Sequence, residues 1–339
     1  MIDEASIWAH LDALAKPHRS LGRLEAIAVR LAMTQQRVDP RTRPRRIVLF
    51  AGDHGCVADG VSAWPSAVTG MMVGTILAGR ATSNALAGVH DCPLRLVDVG
   101  VAADRPVDPP PFYRDARIAA GTASLAHRPA MNAERFAAAW AIGTDEADRA
   151  VDEGAAVLIA GEMGIGNTTP AAALTMLLTD ASAADAVGCG AGADDAMLSH
   201  KTRIVADAAN RARALLVEDP AAAIAAVAGY EIAAMAGFFA RGAARGVTLL
   251  LDGYVATAAA LIAERLAPGT ARAMIAGHRS AEPGHAAALQ RLGLEPLLDW
   301  GMRLGEGSGA LVALPLLDSA AALLRDVARL DAIGAERAD

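Results

Sequence analysis

The stretch RIVLFAGDHG, residues 46–55, is a short aliphatic run that stops abruptly at Gly52, Asp53 and His54. The pattern recurs along the chain. LRLVDVG ends at Asp98 and Gly100, AAVLIAGE at Gly161 and Glu162, VTLLLDG at Asp252 and Gly253, and ARAMIAGH at Gly277 and His278. Continuous apolar runs of this length fit strands buried on both faces. Alanine-rich stretches with the character of helices lie between them, at 66–88, 133–153, 170–178, 196–216, 221–241 and 254–266. Strands alternating with helices predict an α/β fold with an open, mainly parallel, doubly wound sheet. Such sheets bind ligands beyond the carboxyl ends of their strands. Those ends carry Asp53, His54, Asp98, Glu162, Asp252 and His278 here, more polar residues than a plain core needs, so a pocket is expected.

Outward from this core, 2–15 and 21–35 read as two helices separated at Lys16-Pro17, because proline cannot continue a helix. The chain returns to helices from Pro283 onward. These terminal segments do not fit the strand–helix alternation. They are expected to pack together as a smaller helical domain (1–35 and 286–339) beside an α/β domain (36–285). The span 102–113, with Pro109-Pro110-Pro111, reads as a surface loop, and GCGAGADD (188–195) as a glycine-rich turn.

Of the 339 residues, 53% are hydrophobic and 4% aromatic, enough to bury a large core of Ala, Val, Leu and Ile. The net charge of −7 and the dispersed basic residues argue against a nucleic-acid partner. The arginines at 37, 41, 43, 45 and 46 read as a solvated linker. Three scattered cysteines, with no CxxC, fit a reducing compartment and give no zinc signature. MIDEASIW has no basic or apolar leader region, so no signal peptide is expected. The stretch 221–240 is apolar enough to suggest a membrane span, but Glu231 near its centre is costly in lipid, so a buried helix is expected. Together these features predict a cytoplasmic protein that does not meet a membrane.

GEMGIGNTT (161–169) joins a strand to a helix with GxxxxG spacing, but Asn167 stands where a P-loop has lysine. One reading is a cradle for a monophosphate, built from glycine N–H groups and the helix N-terminus, without ATP hydrolysis. The other is a capped strand-to-helix turn. Lys201, in SHKTRIV, is either solvated or reaches that phosphate. Gly188–Gly192 resembles a dinucleotide pattern only loosely and follows no clear strand. His54, His278 and His285 have no metal-ligand spacing, and no metal or cofactor is expected. HRSAEPGH (278–285) is a binding segment or a helix cap. In DWGMRLGEGSGA (299–310), Glu306 is flanked by Gly305 and Gly307. It is a carboxylate on a loop with room for a substrate, or a turn residue favourably placed near a helix N-terminus.

Taken together, SLGRLE (20–25), AGDHG with GVSAWP (51–65), GEMGIGNTT (161–169), EIAAMAG (231–237), LLDGYVATAAAL (250–261), HRSAEPGH (278–285) and MRLGEGSGA (302–310) resemble the nicotinate-nucleotide–dimethylbenzimidazole phosphoribosyltransferase family of cobalamin biosynthesis. The segments are collinear and span nearly the whole chain. The resemblance implies transfer of phosphoribose from nicotinate mononucleotide to 5,6-dimethylbenzimidazole by a homodimer, with small molecules as its substrates. It also implies an open parallel sheet with a small domain built from both termini, and a catalytic base at Glu306.

The chemistry asks for one base. The leaving pyridine of nicotinate mononucleotide is already cationic and needs no acid, whereas the attacking benzimidazole must shed its N–H proton; a positioned carboxylate is worth about 10²–10⁴ in rate. Glu162 is then expected to hold ribose hydroxyls or to stabilise positive charge at C1′. Gly164, Gly166, Asn167, Thr168, Thr169 and Lys201 are expected at the 5′-phosphate, and Asp252, Gly253, Ser280 and Arg303 at the nucleotide. Ser62, Trp64 and Met71 are expected to line the base pocket. The chain departs from the usual family pattern at His18-Arg19, where the family reads Pro-Gly, at Met71 in place of glutamine, and at Cys189 where the family often has arginine. Met71 leaves another benzimidazole, a purine or a phenolic ring open as acceptor. The competing readings are a non-catalytic nucleotide sensor on the same scaffold and, from the 188–193 pattern alone, a NAD-dependent oxidoreductase.

Overall fold

A computed structural model describes every residue except Met1, Ala191, Ala193 and 335–339, so part of the glycine-rich turn at 188–195 lies outside the described residues. Among the described residues, six strands form one parallel sheet in the order β3-β2-β1-β4-β5-β6. They are β1 (Arg45–Gly52), β2 (Leu94–Gly100), β3 (Tyr113–Asp115), β4 (Val157–Met163), β5 (Thr248–Leu251) and β6 (Met274–Ala276). Five are the apolar runs read from the sequence. The sixth, β3, sits at the end of the segment read as a loop, where Tyr113 pairs with Leu96. It is three residues long and polar, so no apolar run announces it.

The helices are α1 (Glu4–Asp12), α2 (Arg23–Gln35), α3 (Ala67–Leu77), α4 (Thr82–Val89), α5 (Ala133–Asp152), α6 (Thr168–Leu178), α7 (Ala183–Ala186), α8 (Asp195–Arg213), α9 (Pro220–Ala225), α10 (Tyr230–Ala244), α11 (Tyr254–Leu266), α12 (Gly284–Leu292) and α13 (Ser308–Asp326). Alternate strand residues serve two layers, as the period of a strand requires. Ile47, Leu49, Leu96, Ile159 and Leu250 pack beneath buried residues of α1, α2, α3, α4 and α13. Val48, Phe50, Val97, Leu158 and Leu249 pack against α5, α6 and α8 to α12. The helices from the two chain ends thus meet on one face of the sheet.

Two stretches read as single helices are broken. The 66–88 stretch divides at Gly79, whose φ of +72° ends α3, and α4 restarts where Asn84 accepts a hydrogen bond from the Ala81 N–H (3.1 Å). The 221–241 stretch divides before Gly229, where a Cβ would overlap the Glu231 carboxylate and the His54 ring. That break starts α10 beneath the carboxyl ends of the strands and delivers Glu231 there. It also removes the membrane-span reading of 221–240. Among the described residues, the one helix long and apolar enough to span a membrane is α13, which is packed on the sheet.

Candidate active site

The strand order reverses between β1 and β4, and ligands of doubly wound sheets collect at such a switch point. A cavity of about 490 Å³ opens there, over the carboxyl ends of β4, β5 and β6. The expected residues Ser62, Glu162, Gly164, Gly166, Asn167, Thr168, Lys201, Asp252, Gly253, Ser280 and Arg303 all line it. His278 and Glu282 line it too, as do Tyr254 and Leu304, for which the sequence suggests no site role. Glu282 and His278 belong to the polar HRSAEPGH segment, whose density of functional groups was the available signal. Four expected residues do not line the cavity: Glu306 and Thr169 are buried behind it, Trp64 is 51% exposed and Met71 is 67% exposed. Met71 sits on an outward face of α3, so the apolar lining expected of it is not found here.

The turn after β4 brings Asn167 back onto Glu162, whose Oε2 accepts from the Asn167 amide. Burial, then the carboxylates of Asp252, Glu231 and Glu306, push the Glu162 pKa well above the ordinary glutamate range, against the Asn167 hydrogen bond. The site therefore favours a protonated Glu162. Gly166 lies at φ +87°, tight against Val57, where a side chain does not fit.

Lys201 reaches this turn from α8. Its buried Nζ donates to Thr168 Oγ1 (2.8 Å) and to the Gly188 carbonyl (3.1 Å). An ammonium has three donors, so one remains for a ligand. Burial lowers the Lys201 pKa, and Glu282 partly offsets it. Arg303 spans from the Glu306 loop to the Gly190 carbonyl (2.6 Å).

Ser280 is fixed through His285. The Ser280 N–H donates to His285 Nδ1 (2.7 Å), and Thr257 Oγ1 lies 2.9 Å from its Nε2. Burial, with His278 nearby, lowers the His285 pKa to about 3, so the ring is neutral with its proton on Nε2. His54 lies beneath the β4–α6 turn, with Nε2 2.9 Å from Glu231 Oε1 but off the line of a good hydrogen bond. Burial opposes charge on this ring, yet Glu231 outweighs it and the His54 pKa is raised. His278 Nε2 stands 3.5 Å from Asp252 Oδ1. Both histidines thus serve carboxylates of the site. Among the described residues, no group of three or more His, Cys, Asp or Glu is placed to hold a metal ion.

Glu306 is 1% exposed and sits directly behind Gly305, which lines the cavity. Its φ is +58°, between Gly305 at +90° and Gly307 at +72°. A left-handed non-glycine residue costs about 1–3 kcal/mol and persists only where its surroundings hold it. The Ser83 N–H, in the first turn of α4, donates to Glu306 Oε2 (3.3 Å).

The fold and the site define an α/β enzyme with an acidic, half-enclosed cavity for a small ligand at the switch point of its sheet. A family profile described as phosphoribosyltransferase matches residues 3–334. The chain is 48% identical over 332 residues to the nicotinate-nucleotide–dimethylbenzimidazole phosphoribosyltransferase of Mycobacterium tuberculosis, covering 98% of this chain and 91% of the relative. It is 47% identical over 336 residues to that of Mycobacterium marinum, covering 99% and 93%. The crystal structure of CobT from Thermus thermophilus superposes with a TM-score of 0.93 at 43% identity, over 99% of both chains. The chain belongs to the nicotinate-nucleotide–dimethylbenzimidazole phosphoribosyltransferase family.

Proposed function

We propose that this protein transfers phosphoribose from nicotinate mononucleotide to 5,6-dimethylbenzimidazole or a related base. The products are α-ribazole 5′-phosphate and nicotinate, in the branch of cobalamin biosynthesis that builds the nucleotide loop. The observation that carries this reading is the placement of Glu306, a buried carboxylate held in a strained conformation directly behind the cavity-lining Gly305.

The nucleotide phosphate is held by the Gly164–Thr168 turn and by the free donor of Lys201. Glu162 holds ribose hydroxyls; its raised pKa disfavours the alternative of an anion beside C1′. Ser280 and Arg303, which also line the cavity, complete the contacts to the nucleotide. The acceptor nitrogen attacks C1′ on the face opposite the pyridinium, which leaves as neutral nicotinate ring nitrogen without a proton. Glu306 takes the proton from the other ring nitrogen, so the new ribosyl benzimidazole forms uncharged. Direct displacement inverts C1′ and converts the β-linked nucleotide into the α-linked product. Ser62 lines the acceptor side; Trp64 and Met71 belong to the acceptor pocket on the strength of the family resemblance alone. In this reading the 36–285 part supplies the cavity, and the 1–35 and 286–339 part supplies the Glu306 loop. The enzyme is cytoplasmic and works as a homodimer.

The test is release of nicotinate on incubation with nicotinate mononucleotide and dimethylbenzimidazole. Glu306→Gln is expected to lower kcat by about 10²–10⁴ while calorimetric affinity for the nucleotide is kept. Full turnover after this change would assign the proton to another group, whereas a wild type that binds the nucleotide but releases no nicotinate would favour a non-catalytic sensor.

A further inference from the structure

Asp252 ends the β5 run and lines the cavity, so at first sight it is a nucleotide contact. Its two oxygens are committed elsewhere. Oδ1 accepts from the N–H groups of Gly309 (2.7 Å) and Ala310 (3.2 Å), and Oδ2 from that of Gly307 (3.1 Å). These donors belong to the first turn of α13 and its cap position, where a helix has no partners of its own for its N–H groups. The residue that caps α13, Gly307, has no capping side chain and lies at φ +72°. A carboxylate more than fifty residues away therefore takes the place of the missing cap.

Glu306 is the residue immediately before these donors. Its left-handed backbone is flanked by two left-handed glycines, in a turn closed by the Ser308 N–H donating to the Gly305 carbonyl (3.0 Å). The Asp252 hydrogen bonds pin the chain directly after it. His278 completes the clamp, with Nε2 3.5 Å from Asp252 Oδ1 and its ring packed against Gly309, where a Cβ would overlap it. We propose that Asp252 is a positioning residue: it fixes the 305–310 loop so that the Glu306 carboxylate meets the acceptor N–H, and it serves turnover rather than capture of the nucleotide. This rests on the reading of Glu306 as the base.

The experiment compares wild type, Asp252→Asn, Glu306→Gln and the double variant in the full chain. It measures kcat with nicotinate mononucleotide and dimethylbenzimidazole, and the nucleotide Kd by calorimetry. A misplacement of about 1 Å costs on the order of 10²-fold in rate, so Asp252→Asn is expected to lower kcat by about that factor with Kd changed less than threefold. In the double variant the loss should equal that of Glu306→Gln alone, because the two residues act as one unit. Amide exchange at Gly307, Gly309 and Ala310 should quicken in Asp252→Asn. A tenfold weaker Kd, or losses that multiply in the double variant, overturns the proposal and makes Asp252 a substrate contact. If Glu306→Gln turns over normally, the catalytic reading itself fails; if it is inactive while Asp252→Asn is unimpaired, only the positioning role fails. Should Asp252→Asn not fold, Asp252→Ser keeps one acceptor for the loop and carries the same comparison.

Discussion

The Ser83 N–H donates to Glu306 Oε2 at 3.3 Å, although 223 residues separate the two. The carboxylate of the α13 loop is thereby tied to the first turn of α4, on another part of the sheet face. Because first-turn positions of a helix tolerate proline, Ser83→Pro deletes this donor with little cost to α4. A hydrogen bond to a charged group is worth roughly 1.5–3 kcal/mol, so kcat should fall about 10- to 100-fold. Ser83→Ala keeps the N–H and should leave kcat near wild type. An equal loss in both variants would move the effect to the buried Ser83 hydroxyl.

Lys201 contributes a buried ammonium to the cavity, where the proposed function puts the nucleotide phosphate, and burial lowers its pKa. Its positive charge is therefore lost at a lower pH than that of an exposed lysine. The KM for nicotinate mononucleotide should rise as pH increases through this lowered value. Lys201→Met is expected to raise KM by about tenfold or more, as for loss of a charged hydrogen bond, and to abolish that pH dependence. Steady-state kinetics across the alkaline range decides the matter; a KM in Lys201→Met that still climbs with pH assigns the titration to another group.

Glu162 is a carboxyl whose folded-state pKa is raised, chiefly by burial. Below the ordinary glutamate value of about 4.3 the folded and unfolded chains are both protonated, and there is no penalty. As pH rises above it the unfolded chain ionises first, so the native state loses stability until its own group ionises. Glu162→Gln removes that penalty. It should be more stable than wild type at neutral pH and equal to it near pH 4, while activity drops. Denaturant titrations at the two pH values measure the difference.

His54 and Glu231 form a pair in which both side chains are buried, beneath the turn that carries Gly164 and Gly166. The folded-state pKa of His54 is raised, so its contribution is complete below about pH 6.5 and is lost as pH rises through the raised value. His54→Asn leaves Glu231 without a cation. The expected loss is about 3–5 kcal/mol, and the fall in stability that wild type shows with rising pH should vanish. Thermal unfolding between about pH 5 and 9, a range around the ordinary histidine value, reads both effects.

Helices α5 and α10 cross backbone to backbone at two glycines: a Cβ on Gly143 would overlap the Ala234 carbonyl, and one on Gly237 the Trp140 carbonyl. Gly237→Ala must push the helices apart or strain them, at a cost of about 1–3 kcal/mol or more. Because α10 also carries Glu231, activity should decline with stability. A variant as stable as wild type would mean that the crossing relaxes freely.

Much of this molecule was legible in the residues. Apolar runs that end in Gly and a polar residue mark five of the six strands, because a strand buried on both faces must be apolar throughout and must become polar where it meets the cavity. The Glu162 turn and the Glu306 loop were recognisable from glycine spacing, since only glycine fits positions such as Gly166 and Gly305. The breaks at Gly79 and Gly229 were masked by alanine-rich flanks that suit a helix on either side. β3 was hidden because its pairing with β2, not its composition, makes it a strand.

The α/β order of elements and the polar residues at the strand ends follow from local periodicity and composition, so they can be read without coordinates. How the carboxylates are used emerges only once the chain is folded. Asp252 turns to the N–H groups of α13, Glu306 to Ser83, and Glu231 to His54. Glu162 lies among them under their combined field. Such roles depend on distances between elements far apart in the chain, and burial decides which of the charges are tolerated.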